Sequence, residues 1–385
     1  MKLLVLVLLI LQPGPRAPLA PAETLLEPAL LRAINEQAPG ANAAVETIGS
    51  EPDAGWILLS CREAQCGAAA RAARKISMLV ASKALPPPMR SIRVASTVAP
   101  ASVAGLKAVI HVAESADRPL QVVRGLWSTA SLVDEVVELF ARHGNSVVEA
   151  RPFEPLGQLP LDSYGIPTST IVVNPAVSND HAAFAAAASA YFLATLPNAG
   201  AEALLAHLMV GAHARLAEDG RKAVSQMGSQ QRASGEVLAM FANAIDREQR
   251  RMRSFEQFMP QPIDPVLHSR IVDMENGITG VWTSIGITPS PFVPPAQRIR
   301  GRGGEDRRVP SRIGSAPMAK PELPTAFLKF DNVEVVVAEL GNFIDGKRSI
   351  SDIRDAVSAE FAPIALPVVV EYFERLAKAG AISIR

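Results

Sequence analysis

Short runs of apolar, β-branched residues alternate with alanine-rich, helix-period segments along residues 56–200. This alternation constrains the fold more than any other feature of the chain. Residues 56–60 (WILLS), 92–95, 108–113 (AVIHVA), 147–153 and 170–173 read as strands. Between them, residues 62–84 carry an alanine-rich helical pattern that ends at Pro86, Pro87 and Pro88, where the ring removes a helix donor. Residues 132–143 place Leu132, Val133, Val136, Val137 and Phe140 on one helical face, with Gly144 as a stop. Strands alternating with helices predict a three-layer αβα fold around a mostly parallel or mixed sheet. The stretch from 163 to 198 adds the carboxyl end of a core strand, a loop with Asn174 and Pro175, a helix start at Asn179 and Asp180, and an alanine-rich helix. His181 is thereby expected at the mouth of the sheet, where open α/β folds bind ligands.

Beyond residue 200 the pattern changes. Residues 201–224 and 230–258 read as two longer helices, the second with the charge run Asp246, Arg247, Glu248, Gln249, Arg250, Arg251, expected as a solvated face. Residues 286–324 are rich in proline, glycine and arginine and read as a linker. Residues 325–385 then give three short helices and a terminal strand: a helix over 333–343, a turn at Asp345 and Gly346, a second helix capped by Ser349 or Ser351, a third entered at Pro367 and stopped at Gly380. That pattern suggests a small winged-helix-like unit. The expected domains are therefore a leader over 1–22, an α/β domain over 23–200, a helical extension over 201–285, the linker, and the carboxyl unit.

At the amino terminus Lys2 is followed by nine unbroken apolar residues, and a small-x-small site, Ala20-Pro21-Ala22, precedes Glu23. That is the pattern of a cleaved secretory signal peptide, so the protein is expected to be exported, with no membrane attachment after cleavage. A spanning helix needs about 18 or more apolar residues, which the run lacks. The formal net charge is zero, so no global charge imbalance points to nucleic acid, which is not expected as a partner. Cys61 and Cys66 are the two cysteines; in an oxidising compartment they could bridge, remain as buried thiols, or contribute to a metal site.

In order along the chain, several segments resemble the exported co-catalytic di-zinc aminopeptidases of metallopeptidase family 28. LEPALLRAINEQAPG is similar to the leading helix of one bacterial branch. ILLSCREAQCGAAARAARKISMLVASKALPPPMRSIRV is similar to its strand, metal-site turn, long helix and next strand. LKAVIHVAES and GIPTSTIVVNPAVSNDH are similar to the following strands, the latter ending at the last zinc-binding histidine. IDGKRSISDIRDAVSAEF and YFERLAKAGAI are similar to the appended helical domain. The resemblance implies two zinc ions held by histidines and carboxylates, with one bridging carboxylate and a glutamate as general base.

Carried over position by position, that site is mostly missing. His181 falls on a ligand position, and Glu63 falls where the bridging acid belongs, one methylene longer than the family's aspartate. No histidine lies near LLSCREAQCG, no carboxylate lies in 96–103, and the next expected aspartate aligns with Ala113, although Glu114 and Asp117 lie just beyond. The other histidines make no second constellation. His111 lies inside a strand, His143 at a helix end, His207 and His213 six apart on one helix, and His268 in a turn-rich segment. The expectation is an exported homologue of zinc aminopeptidases with most metal ligands lost, inactive or weakly active, with His181 and Glu63 as its remaining zinc candidates. The competing expectations are an active peptidase with a rearranged site that recruits Glu114 or Asp117, and a non-catalytic module that binds a peptide or protein through the carboxyl unit and linker.

Overall fold

The computed structural model describes residues 47–48, 55–61, 63–95, 105–115, 120–143, 148–153, 165–174, 179–196, 198–228, 234–259, 262–283, 305–313, 322–330 and 332–385. The leader, the helical pattern over 24–36 and Asp117 lie outside them.

The alternation read from the sequence folds as an α/β sheet domain. Its strands are β1 (Thr47–Ile48), β2 (Trp56–Cys61), β3 (Ser91–Ala95), β4 (Leu106–Glu114), β5 (Gln121–Val123), β6 (Glu149–Arg151) and β7 (Thr168–Val173). They lie in the order β1-β3-β2-β4-β7-β5-β6. The centre, β3-β2-β4-β7, is parallel; β1 and β5 run antiparallel to their inner neighbours, so the sheet is mixed. Every residue of β7 is buried, as are Ile57, Leu58 and Leu59 on successive positions of β2, so both faces of the central strands are covered, as in a three-layer α/β fold.

Three helices form one of the covering layers: α1 (Glu63–Ala81), α2 (Leu132–Arg142) and α3 (Asn179–Thr195). The β2-α1-β3 and β5-α2-β6 crossovers are both parallel connections, and right-handed connection puts both helices on one face. Helix α3 packs on both of them and on the sheet. Its sequence explains that position. Residues 182–188, six alanines and Phe184, are all at most 2% exposed, so this stretch is apolar all round and thin enough to fit between two other helices. Phe140 of α2 meets Phe192 of α3 edge to face, with ring centroids 5.8 Å apart. Helix α2 starts at Leu132 as expected, and its N-cap is Ser131, with Asp134 and Glu135 in the first turn. The strand starts are fixed by a close approach: Gly55 has φ +83°, and a Cβ there would stand 2.6 Å from the Gly105 carbonyl oxygen, which accepts the Trp56 N–H at 3.0 Å.

The remaining helices are α4 (Asn198–Gly228), α5 (Ser234–Arg253) and α6 (Pro265–Thr283). The chain divides into two compact units, and the division cuts these helices. One unit holds the sheet domain up to Leu208 and adds Arg251–Ile271; the other holds Met209–Arg250 and Val272–Arg385. The division therefore falls within residues 201–285, the stretch expected as a helical extension. Within the sheet unit, Arg251 donates to the Ser131 carbonyl and to Asp134, both at 2.9 Å, and Arg90 donates to the carbonyls of Phe258 and Gln257 at 2.9 and 3.0 Å. These buried guanidiniums tie the returning segment to the sheet domain.

The charge run at the end of α5 differs from its expected solvated face. Asp246, Arg247, Glu248, Gln249 and Arg251 are all buried. Each finds a partner far away in sequence. Within the second unit, Glu248 accepts from Arg215 at 2.7 Å and from Arg247 Nε at 2.7 Å, Arg247 reaches Asp219 at 2.8 Å, and Asp246 accepts from Arg348 at 3.0 Å. Burial is tolerable because every charge is paired and hydrogen-bonded.

The carboxyl part of that unit holds α7 (Val333–Asn342), α8 (Ile350–Glu360) and α9 (Leu366–Lys378), with a 3-10 turn at Thr325–Lys329 before them. Of the two candidate caps, Ser349 is the one used. Its hydroxyl accepts the Asp352 N–H at 3.2 Å while Asp352 accepts the Ser349 N–H at 2.9 Å, a reciprocal capping box. Residues 286–324 are not linker throughout. Their described part includes β8 (Pro310–Arg312), which pairs antiparallel with the terminal strand β9 (Ile382–Ile384). Two arginines of this stretch serve the same unit: Arg308 pairs with Asp306 and Glu374, and Arg312 donates to the Gly341 carbonyl at 2.8 Å. Among the described residues no helix is long and apolar enough to cross a membrane.

Candidate functional site at the carboxyl edge of the sheet

The parallel strands β2, β4 and β7 end together, and their register fixes what meets there. Cys61 lies beside Val112, and Glu114 beside Val173. Cys61 and Glu114 therefore fall on the same side of the sheet, two positions apart along the edge, because side chains alternate with a period of two.

The turn from β2 into α1 is closed by a Cys61–Cys66 disulfide. Of the three possibilities for these cysteines, the local bridge is the one formed. It leaves neither sulfur as a thiolate ligand, and it fixes the first turn of α1 against the strand. Gln65 lies inside that turn, is fully buried, and donates its amide to Glu114. The Gln65 Oε1 atom is buried without a hydrogen-bond partner. Glu63 is the first residue of α1, so it stands on the same turn; its side chain lies outside the described part. Replacing both cysteines by serine is expected to destabilise the sheet unit by about 2 kcal/mol, the loop-closure value for so short a ring. Urea unfolding of the double variant against the oxidised wild type measures it, and an unchanged midpoint would mean that the bridge adds nothing to the turn.

On the far side of the edge, His181 lies in the first turn of α3. Its Nε2 is 3.3 Å from the Ala141 carbonyl oxygen at the end of α2. Burial pushes the imidazole below the ordinary histidine range; the Ala141 hydrogen bond opposes this and the charge of His143 adds to it. His143 is the C-cap residue of α2, with its backbone N–H on the Phe140 carbonyl. Its Nε2 is buried and has no hydrogen-bond partner. Asp180, next to His181, is held by Arg71 of α1 at 2.7 Å.

The predicted residues thus divide. His181 and the start of α1 follow the carboxyl ends of β7 and β2, which lie in one sheet. Glu114 reaches its position too, yet its partner is a glutamine. Among the described residues no group of three or more histidine, cysteine, aspartate or glutamate side chains is arranged to hold a metal ion. The remaining histidines have other neighbours. His111 faces Ser60, Nδ1 to Oγ at 3.1 Å, on the strand β2 beside it. His207 has Nε2 3.5 Å from Glu135 of α2, and His268 stands in the first turn of α6 at 2.7 Å from Glu256. Sequence reading missed three participants. Gln65 carries no charge pattern to mark it, the Arg71–Asp180 pair spans 109 positions, and the Ala141 carbonyl meets His181 only when α2 and α3 pack.

Fold and edge together define a three-layer α/β protein with a disulfide-closed strand–helix turn at its carboxyl edge. Compared with protein-family models and with curated proteins, the sequence matches none.

Proposed function

We propose that the sheet unit is a peptidase-like scaffold of an exported protein that does not carry out two-metal hydrolysis, and that binds a peptide or protein instead. The observation that carries this reading is mutual satisfaction along the edge. The turn that would present a bridging acid is drawn closed by Cys61–Cys66, Glu114 receives the Gln65 amide, and Asp180 receives Arg71. A water-activating metal pair needs several uncommitted carboxylates and imidazoles converging at about 2 Å from each ion. Here the described acids of the edge are committed to protein donors.

Export is supported by two features that agree. The apolar leader and small-residue cleavage pattern suit secretion, and a disulfide persists in oxidising compartments. The carboxyl unit, three helices with a two-stranded ribbon, is compatible with a winged-helix-like module, and its mixed charges suit a protein partner better than nucleic acid.

Purified protein assayed with aminoacyl-nitroanilides at saturating zinc is expected to show no turnover above the uncatalysed rate, and calorimetric titration with zinc is expected to show no pair of tight sites. Tight two-site binding with turnover that His181→Ala abolishes would remove the proposal in favour of an active zinc aminopeptidase built on Glu63, Glu114 or Asp117, and His181.

A further inference from the structure

The Cys61–Cys66 bridge joins two unlike surroundings. Cys61 ends β2 and is fully buried, whereas Cys66 lies in the first turn of the 19-residue helix α1 and is partly exposed. A thiol arriving from outside therefore reaches the Cys66 sulfur and not the Cys61 sulfur, and exchange depends on which sulfur can be attacked. Gly67 follows Cys66 and is partly exposed too. Among the described residues outside the local backbone, a Cβ at Gly67 would meet the Arg71 Nη1 atom alone, at 3.7 Å, while the Nη2 atom of the same guanidinium holds Asp180. The approach to Cys66 is thus open and carries a cation. Backbone N–H groups at the helix start and the Arg71 guanidinium both favour negative charge on this turn, the surroundings in which a cysteine sulfur leaves and attacks as thiolate.

The fold also provides for Cys61 in the reduced state. Its Sγ stands 3.7 Å from the Ala95 carbonyl oxygen at the end of β3, an acceptor within reach of the hydrogen that a thiol has and a disulfide lacks. The closed bridge, by contrast, holds Gln65 fully buried with its Oε1 atom unbonded. Leaving a buried acceptor unmade is costly, and an opened turn relieves that cost once water reaches the oxygen. Both features lower the free energy of the reduced pair relative to the oxidised one.

We infer that Cys61 and Cys66 are a redox-active pair that exchanges with external thiols and their disulfides, Cys66 being the attacked sulfur and Cys61 the resolving one. In the reducing direction an external thiolate bonds to the Cys66 Sγ, the Cys61–Cys66 bond breaks, and Cys61 leaves with the electron pair and takes a proton. A second external thiolate then attacks the external sulfur of the mixed disulfide and releases Cys66. Two thiols depart as one disulfide, and the protein holds two thiols. In the opposite direction the Cys66 thiolate attacks an external disulfide, and Cys61 displaces the bound thiol to close the bridge. This exchange stands or falls independently of peptide hydrolysis.

Glutathione is the probe. Folded wild-type protein held in millimolar reduced glutathione and quenched with acid is expected to show the bridge opened, with the mixed disulfide mapped by mass spectrometry to Cys66. With oxidised glutathione, Cys61→Ser should take up one glutathione at Cys66. Cys66→Ser should react at Cys61 more slowly by roughly tenfold or more, and the difference should vanish in urea, where burial no longer protects Cys61. Mapping in unaltered protein keeps the test open if a variant fails to fold. A bridge that glutathione opens only after urea has unfolded the chain would overturn the inference. So would a mixed disulfide carried on Cys61 in the folded protein, or equal rates in the two folded variants.

Discussion

Replacing Glu248 by glutamine is expected to cost about 3–5 kcal/mol of stability, among the largest effects a single substitution can have in this chain. The carboxylate is fully buried and accepts from Arg215 at 2.7 Å and from Arg247 Nε at 2.7 Å. Glutamine keeps the size but removes the charge, and it presents an NH2 group to guanidiniums that can only donate. Asp219 is left to balance Arg247 alone, and Arg215 loses the paired bonds that its fork makes to one carboxylate. A second readout separates lost charge from lost packing. Burial holds the His213 imidazole below the ordinary histidine range, and the Glu248 charge partly offsets that shift. Without the carboxylate the offset disappears, so His213 should titrate lower still in Glu248→Gln, followed by its ring proton resonances. A variant as stable as wild type, with His213 titrating where it does in the parent, would show that this network contributes little.

The second large effect is expected at Arg251, in the sheet unit. Its guanidinium is buried between the Ser131 carbonyl and Asp134 at 2.9 Å, with Glu135 at 4.0 Å. Asp134 and Glu135 are both nearly inaccessible and adjacent at the start of α2. Arg251→Met preserves much of the stem and removes the charge, so two neighbouring buried carboxylates lose their cation. The expected loss is again about 3–5 kcal/mol, because breaking one side of a buried ion pair strands the other. Adding Asp134→Asn to Arg251→Met should restore part of it, since one stranded charge then disappears. Because the two positions touch, the double variant should be more stable than the sum of the singles predicts. Additive losses would mean that the two groups do not interact.

Local patterns carried the sheet domain well. The β-branched run Thr170 to Val173 needs no distant information to read as a buried strand, and the apolar face from Leu132 to Phe140 reads as a helix on its own. The charge run at 246–251 misled for the opposite reason. A window of residues shows opposite charges one turn apart, which usually means water, but here burial depends on Arg215, Asp219 and Arg348, brought in from other elements. Helix α6 was hidden by neighbouring turn residues, although Asp264-Pro265 is a sound start: the Asp264 carboxylate accepts the Val266 N–H at 2.9 Å.

The edge of the sheet was legible in outline only. The local strand, loop and helix start over 163–198 put His181 at its mouth. The commitment of Glu114 to Gln65 requires the register of β2 against β4 and the turn drawn in by the disulfide, neither of which a sequence window contains. The hydrogen bond of His181 to the Ala141 carbonyl follows from two helices packing side by side, and the alanines that allow it read as nothing more than helix formers.

The metal content of purified protein, saturated with zinc, freed of loosely bound ions and assayed by mass spectrometry, tests most directly whether this edge is a two-metal hydrolase site. The expected result is no tightly held pair of zinc ions and no aminopeptidase turnover. Two tightly held zinc ions per chain, both lost together with turnover in His181→Ala, would contradict it.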